Sequence, residues 1–172
     1  MATLNTNGHT AGRTAGRTAG RTADAIDAAI LRRLTDDPDA TTLALAESTG
    51  LARNTVRARL ARYRVDGALK SFQRRIDPAF LGYPLHAHVI TKVTQRKLPA
   101  VAEALAGIPE VLEVSGLSGV ADLLVHVVSR DAEDLYRVTG RILAIDGVKR
   151  TNTGLVMQEL VGYRVTQLLD EP

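Results

Sequence analysis

Five arginines fall within the thirteen residues ARNTVRARLARYR, Ala52 to Arg64. A guanidinium is permanently charged and planar, and it can fork two N–H donors onto a phosphate or a guanine edge. The chemistry on offer is recognition of a polyanion rather than bond-making. Wound at about 100° per residue from Arg53, the stretch sets Val56, Leu60 and Tyr63 in one stripe, at about 280–340°. Asn54, Thr55, Ala58, Ala61 and Arg62 lie opposite. Arg53, Arg57 and Arg64 run along one edge of the stripe and Arg59 along the other. Short outward side chains let a helix enter a major groove about 12 Å wide, while flanking arginines reach phosphates or base edges. A solvated amphipathic helix carries the same pattern, so the preceding residues must decide.

Other chemistry is sparse. There is no Gly-rich phosphate loop, no H-x-x-x-H and no Ser/His/Asp grouping, and cysteine is absent. Asp131, Glu133 and Asp134 read as first-turn helix residues. The sequence therefore predicts no catalytic residues, no cofactor and no metal set. His86, His88 and His126 stand out: 86 and 88 share one face of a strand, and 126 shares a face with Leu124 and Val128. They are expected to cluster on a helix-free sheet face. They read either as a metal- or pH-responsive interface or as satisfied polar residues within an interface.

The elements that must position these residues follow from composition and periodicity. The 172 residues suit one medium or two small domains. With 45% apolar but 3% aromatic residues, aliphatic side chains must fill the core. No apolar run reaches the ~18 residues of a membrane span, and no signal peptide is evident; a cytoplasmic protein is expected. The net charge is +3, unevenly spread: residues 1–75 hold 13 Lys/Arg against 7 Asp/Glu, and residues 76–172 hold 9 against 12. That asymmetry suggests a polyanion-binding module joined to a second one.

Residues 10–21 are TAGR three times over, without a large apolar side chain, and residues 1–23 read as a disordered basic arm. DAIDAAILRRL then reads as a helix capped by Asp24, with Ile26, Ile30 and Leu34 in period, ending at Pro38. LALAEST is a short helix stopped by Gly50. Ala46 and Gly50 supply the small residue and the φ-tolerant turn of a helix-turn-helix, onto which Val56 can pack. This favours the groove-entering reading of the arginine helix, Ala52 to about Asp66. Beyond Gly67, Ala68-Leu69 and Phe72 to Ile76 are expected as two short wing strands bearing Lys70, Arg74 and Arg75. DPAFLGYP, 77–84, is a hinge. Then come strands at 86–94, 111–117, 122–129 and 148–160, and helices at 97–107 and 131–143. The order βαββαβ is a ferredoxin-like sandwich, so the fold class is α+β. The domains expected are 24–76, 85–162 and a tail, 163–172.

The series DAIDAAILRRL, LAESTGL, V-x-x-R-L-x-x-Y-x-x-x-G-A-L, IPEVLEV, SGVADLLVHV and IDGVKRTNT resembles the Lrp/AsnC, or feast/famine, family of transcriptional regulators. The resemblance implies a DNA-binding winged helix-turn-helix and a C-terminal RAM-type sandwich that senses a small molecule, an amino acid above all. It also implies homodimers, up to octamers, on double-stranded DNA and away from membranes. Carried onto this sequence, the DNA-binding residues are Arg53, Asn54, Thr55, Arg57, Ala58, Arg59, Arg62, Lys70, Arg74 and Arg75. Arg59 can instead pair with Asp27 or Glu47. Ser118, Gly119, Val120, Ala121 and Asp122 form the turn that frames the effector. Two positions depart from the family pattern: Ala52 replaces the usual helix-starting Ser, and the turn reads Gly-Val-Ala-Asp-Leu. Two alternatives remain, a low-specificity chromosome-organising protein and an enzyme resembling sirohaem decarboxylases.

Overall fold

The computed structural model describes residues 22–169, and the TAGR arm lies outside them. The chain divides into two units. The first described here comprises the residues up to Arg74 together with those from Val161 onward; the second spans Arg75–Leu160.

The first unit holds three helices: α1 (Ala25–Asp36), α2 (Thr42–Thr49) and α3 (Arg53–Val65). Each boundary has a local cause. Asp24 and Asp27 form a reciprocal capping box on α1. Thr41 Oγ1 accepts from Ala44 N at 3.1 Å to start α2, and Gly50, at φ +68°, ends it. No side chain caps α3, as Ala52 at that position dictates. Ile30, Leu45, Ala46, Val56 and Tyr63 form the core, with Ile26, Leu31, Leu34, Leu51 and Leu60 packed around it. Ala46 and Val56 share this core, where the small side chain of Ala46 leaves room for the neighbouring helix.

The two expected wing strands do not form. Phe72–Arg75 is instead a 3-10 turn, and Leu69, Phe72 and Ile76 are exposed. An isolated two-stranded ribbon gains too little burial to hold itself together. The chain end also differs from a free tail. Residues 161–169 belong with the helical unit, and Arg32 donates from Nη2 to the Leu169 carbonyl at 3.1 Å.

The second unit is βαββαβ: β1 (Leu85–Val93), α4 (Leu98–Ala106), β2 (Val111–Gly116), β3 (Leu123–Ser129), α5 (Ala132–Leu143) and β4 (Val148–Leu155). The sheet order is β2-β3-β1-β4, with every pair antiparallel. Ala87, Val89 and Val93 of β1 and Leu123, Val125 and Val127 of β3 pack with Val101, Leu105, Val138 and Ile142 of the helices. Fully burying one such aliphatic side chain contributes about 1.5–3 kcal/mol. Alternation along the strands sends His86, His88, Ile90, Leu124 and His126 to the opposite face. β4 ends at Leu155 rather than residue 160, because its pairing with β1 runs out: Leu155 faces Ala87, and Val156 N makes a last bond to His86 O at 2.9 Å. Gly147, before β4, has φ +105°, and a Cβ there would lie 2.9 Å from Lys97 Cβ. Both the backbone and the close approach require glycine.

Candidate nucleic-acid interface

The arginines of α3 divide into two groups with different surroundings. On one side, Asp27 is almost fully buried, and its Oδ1 accepts from Arg59 Nη1 at 2.7 Å, Arg62 Nη2 at 2.9 Å and Tyr63 Oη at 2.7 Å. Arg59 also reaches Asp24 Oδ2 at 2.7 Å. Burial pushes the Asp27 carboxyl up, but the Tyr63 hydroxyl, the Asp24 backbone and Arg59 outweigh it and hold the group below the usual carboxylate range. The Tyr63 phenol is raised by its burial and by the adjacent carboxylate. Arg59 and Arg62 thus tie α3 to the start of α1. Of the two partners the sequence suggested for Arg59, the structure selects Asp27. It adds Asp24, which sequence reading treated only as a cap. The available signal was Tyr63: a phenol on the core stripe needs a buried partner, and an acidic i,i+3 pair at the start of α1 supplies one.

On the other side, Arg53, Asn54, Arg57 and Ala58 are all exposed and Thr55 is half-buried. Among the described residues, Arg53 and Arg57 have no ion-pair partner. Asn54, Ala58 and Ala61 keep the outward surface short. Lys70, Arg74 and Arg75 follow on an exposed segment after α3.

The expected effector turn, Ser118 to Asp122, joins β2 to β3. Gly119 has φ +112°, Val120 projects into solvent and Ala121 is half-buried. Asp122 faces inward. Its carboxylate accepts from Val93 N at 2.8 Å, Gln95 Nε2 at 2.7 Å and Lys92 Nζ at 3.3 Å. The Val93 amide, followed by Lys92 and Gln95, holds it below the usual carboxylate range. This carboxylate fastens the turn to the end of β1. The three histidines meet on the helix-free face, as β1–β3 pairing requires. Among the described residues, no group of three or more His, Asp or Glu converges as a metal set.

Residues 24–64 match the AsnC-type helix-turn-helix domain, and residues 87–166 match the Lrp/AsnC ligand binding domain. The HTH-type transcriptional regulator FL11 of Pyrococcus horikoshii is 35% identical over 135 residues, covering 78% of this chain and 89% of that one. The chain belongs to the Lrp/AsnC family of transcriptional regulators. The fold agrees with Escherichia coli AsnC, with TM-score 0.75 at 22% identity over 85% of this chain and 99% of that one. It is similar too to the feast or famine regulatory protein of M. tuberculosis complexed with L-methionine, with TM-score 0.72 at 26% identity, covering 83% and 97%. As an Lrp/AsnC member, the chain is a transcriptional regulator with a helix-turn-helix DNA-binding domain and a ligand-binding domain. No helix among the described residues is long and apolar enough to cross a membrane.

Proposed function

We propose that the chain is a sequence-specific regulator that inserts α3 into the major groove of double-stranded DNA as part of a homodimer or larger assembly. The observation that carries this reading is the exposed, short-sided face of α3, along which Arg53 and Arg57 lack a partner among the described residues. Arg53, Asn54, Thr55 and Arg57 lie nearest the end of the helix that leads into the groove, so they read base edges. Ala58 admits close approach. Lys70, Arg74 and Arg75 meet phosphates. Arg59 and Arg62, being held by Asp24 and Asp27, orient α3 rather than contact DNA.

The C-terminal unit senses a small molecule, and an amino acid is favoured because the similar mycobacterial structure is complexed with L-methionine. The turn 118–122 frames that ligand. With the Asp122 side chain committed to Val93, Gln95 and Lys92, the turn's contribution comes from its backbone. Association is favoured through the sheet face that carries no helices, where Ile90 is 44% exposed.

A gel-shift scan of the protein's own upstream region, with and without a panel of amino acids, tests both halves. Retarded bands confined to a pseudo-palindromic segment and altered by one amino acid are expected. Equal retardation of every fragment, with the same steep salt dependence throughout, contradicts sequence specificity and favours a chromosome-organising role.

A further inference from the structure

Three of the chain's four histidines occupy the helix-free face of the sheet. Strand pairing sets His88 opposite His126 and His86 opposite Val128. His86 Nδ1 lies 3.2 Å from His126 Nε2. The His88 and His126 rings stack with centroids 4.9 Å apart, and the His86 and His126 centroids are 5.4 Å apart. An N···N contact of this length needs one ring to donate and the other to accept. If both rings were charged, two N–H donors and two positive charges would face each other. His88 Nδ1 is buried without a hydrogen-bond partner among the described residues. Between His86 and His126 the contact holds one donor and one acceptor, an arrangement that charging both rings would break.

The groups around it are mixed, with one carboxylate against two cations. On β2, Glu113 pairs with His126. On β1, Lys92 lies on the same face, and Arg150 of β4 stands opposite it. Gly154 faces His88 and Asn152 faces Ile90, and neither is charged. The remaining neighbours are the apolar Ile90, Leu124 and Val128. Burial, then His88 and His86, push the His126 imidazole below its ordinary range, against the pull of Glu113. Covering this face with another molecule removes more water from the cluster and disfavours its charged forms further. Acidification then acts in the opposite sense, because protons bind better to the uncovered face.

We propose that His86, His88 and His126 form one proton-operated switch on the surface through which two copies of this chain associate. The inference rests on the self-association proposed above and adds its regulation. Neutral imidazoles permit the contact near neutral pH. Proton uptake below the ordinary imidazole value of about 6.5 opens it. Each proton taken up on separation weakens association by up to about tenfold per pH unit over that range.

The test is sedimentation velocity of the full chain at pH 7.5, 6.5 and 5.5, at fixed ionic strength and in EDTA. It is run on the wild type, His126→Gln and His88→Asn. Glutamine keeps a polar atom near the Nε2 position but cannot carry the proton. The dissociation constant of the wild type is expected to rise at least about tenfold between pH 7.5 and 5.5, and both variants should flatten that rise. Far-UV circular dichroism selects variants that fold, and either one suffices. A wild-type assembly indifferent to pH overturns the switch and leaves self-association standing. A wild type that is monomeric at pH 7.5 overturns both. A pH step undiminished in both variants places the proton elsewhere and also overturns the switch. A parallel titration with zinc(II) in place of EDTA separates proton from metal. Saturable binding at one ion per chain, lost in His126→Gln, would make the cluster a metal site and defeat the proposal.

Discussion

The two flanks of α3 use the same residue type for opposite ends. Arg59 and Arg62 are pulled inward, donating to Asp24 and Asp27 at 2.7–2.9 Å. Arg53 and Arg57, on the same helix, stand exposed and without an ion-pair partner among the described residues. A buried carboxylate is tolerable only when its lone pairs are filled, so Asp27 claims whichever cations lie within reach. Arginines beyond its reach keep their donors for a partner. The number of arginines on a helix therefore says little about how many touch DNA. What matters is whether an acidic residue across the core has already taken them.

The comparison breaks most visibly at Asp27. Asp27→Ala leaves Arg59, Arg62 and the Tyr63 hydroxyl without their shared acceptor. Removing one partner of a buried charged network costs about 3–5 kcal/mol, so the helical unit should lose that much stability to urea. A loss below about 1 kcal/mol would mean the network is solvent-screened. The next largest effect is expected at Arg57. Arg57→Ala should weaken binding to the preferred duplex by about 10- to 100-fold, the 1–3 kcal/mol of a base contact, with the melting temperature unchanged. Arg59→Ala should do the reverse, lowering the melting temperature while preserving the sequence preference. Equal behaviour of the two variants in paired fluorescence anisotropy and thermal melts would erase the distinction between the flanks.

A smaller gain is expected from Ala52→Ser, which supplies the missing cap of α3 and should stabilise the helical unit by about 0.5–2 kcal/mol. If urea unfolding shows no gain, the helix start is satisfied in another way. Acid offers the gentlest contrast. His126 has a lowered folded value, so its contribution is complete above the ordinary imidazole range and is lost as pH falls below about 6.5. Asp27 is also lowered, but from an ordinary value of 3.8, so its contribution persists until pH falls through 4 and below. Glu110, Asp122 and Asp134 of the C-terminal unit behave as Asp27 does. Between pH 7 and 5, protection against amide exchange, relative to the intrinsic rate at each pH, should therefore fall in the C-terminal sheet and not in the three-helix unit. Loosening of the helical unit first would contradict these assignments.

Local periodicity made most of the fold legible. The core stripe Val56, Leu60 and Tyr63, the cap Asp24 and the stop Gly50 all act where their spacing places them. Each of these is decided within a few residues. The clustering of His86, His88 and His126 was legible too, because strand alternation and βαββαβ topology suffice to bring them together. What was not legible depended on distant partners. The wing strands had good local pattern but no third element to cover Leu69 and Phe72. β4 stops where β1 ends, a limit set outside its own sequence. Arg62 falls on the outer face of a helical wheel, yet its long side chain curls back to Asp27. Asp122 looked available to a ligand, and only the Val93 amide at 2.8 Å reveals that it is occupied.

The central claim is that the exposed flank of α3 reads duplex sequence. Selection from a randomised duplex pool with the wild type and with Arg57→Ala, sequenced over several rounds, tests it most directly. The wild type should enrich a pseudo-palindromic motif, and the variant should lose information at one symmetric pair of positions while retaining the remainder. An unchanged motif in the variant, or no motif in the wild type at any salt concentration, would contradict the claim.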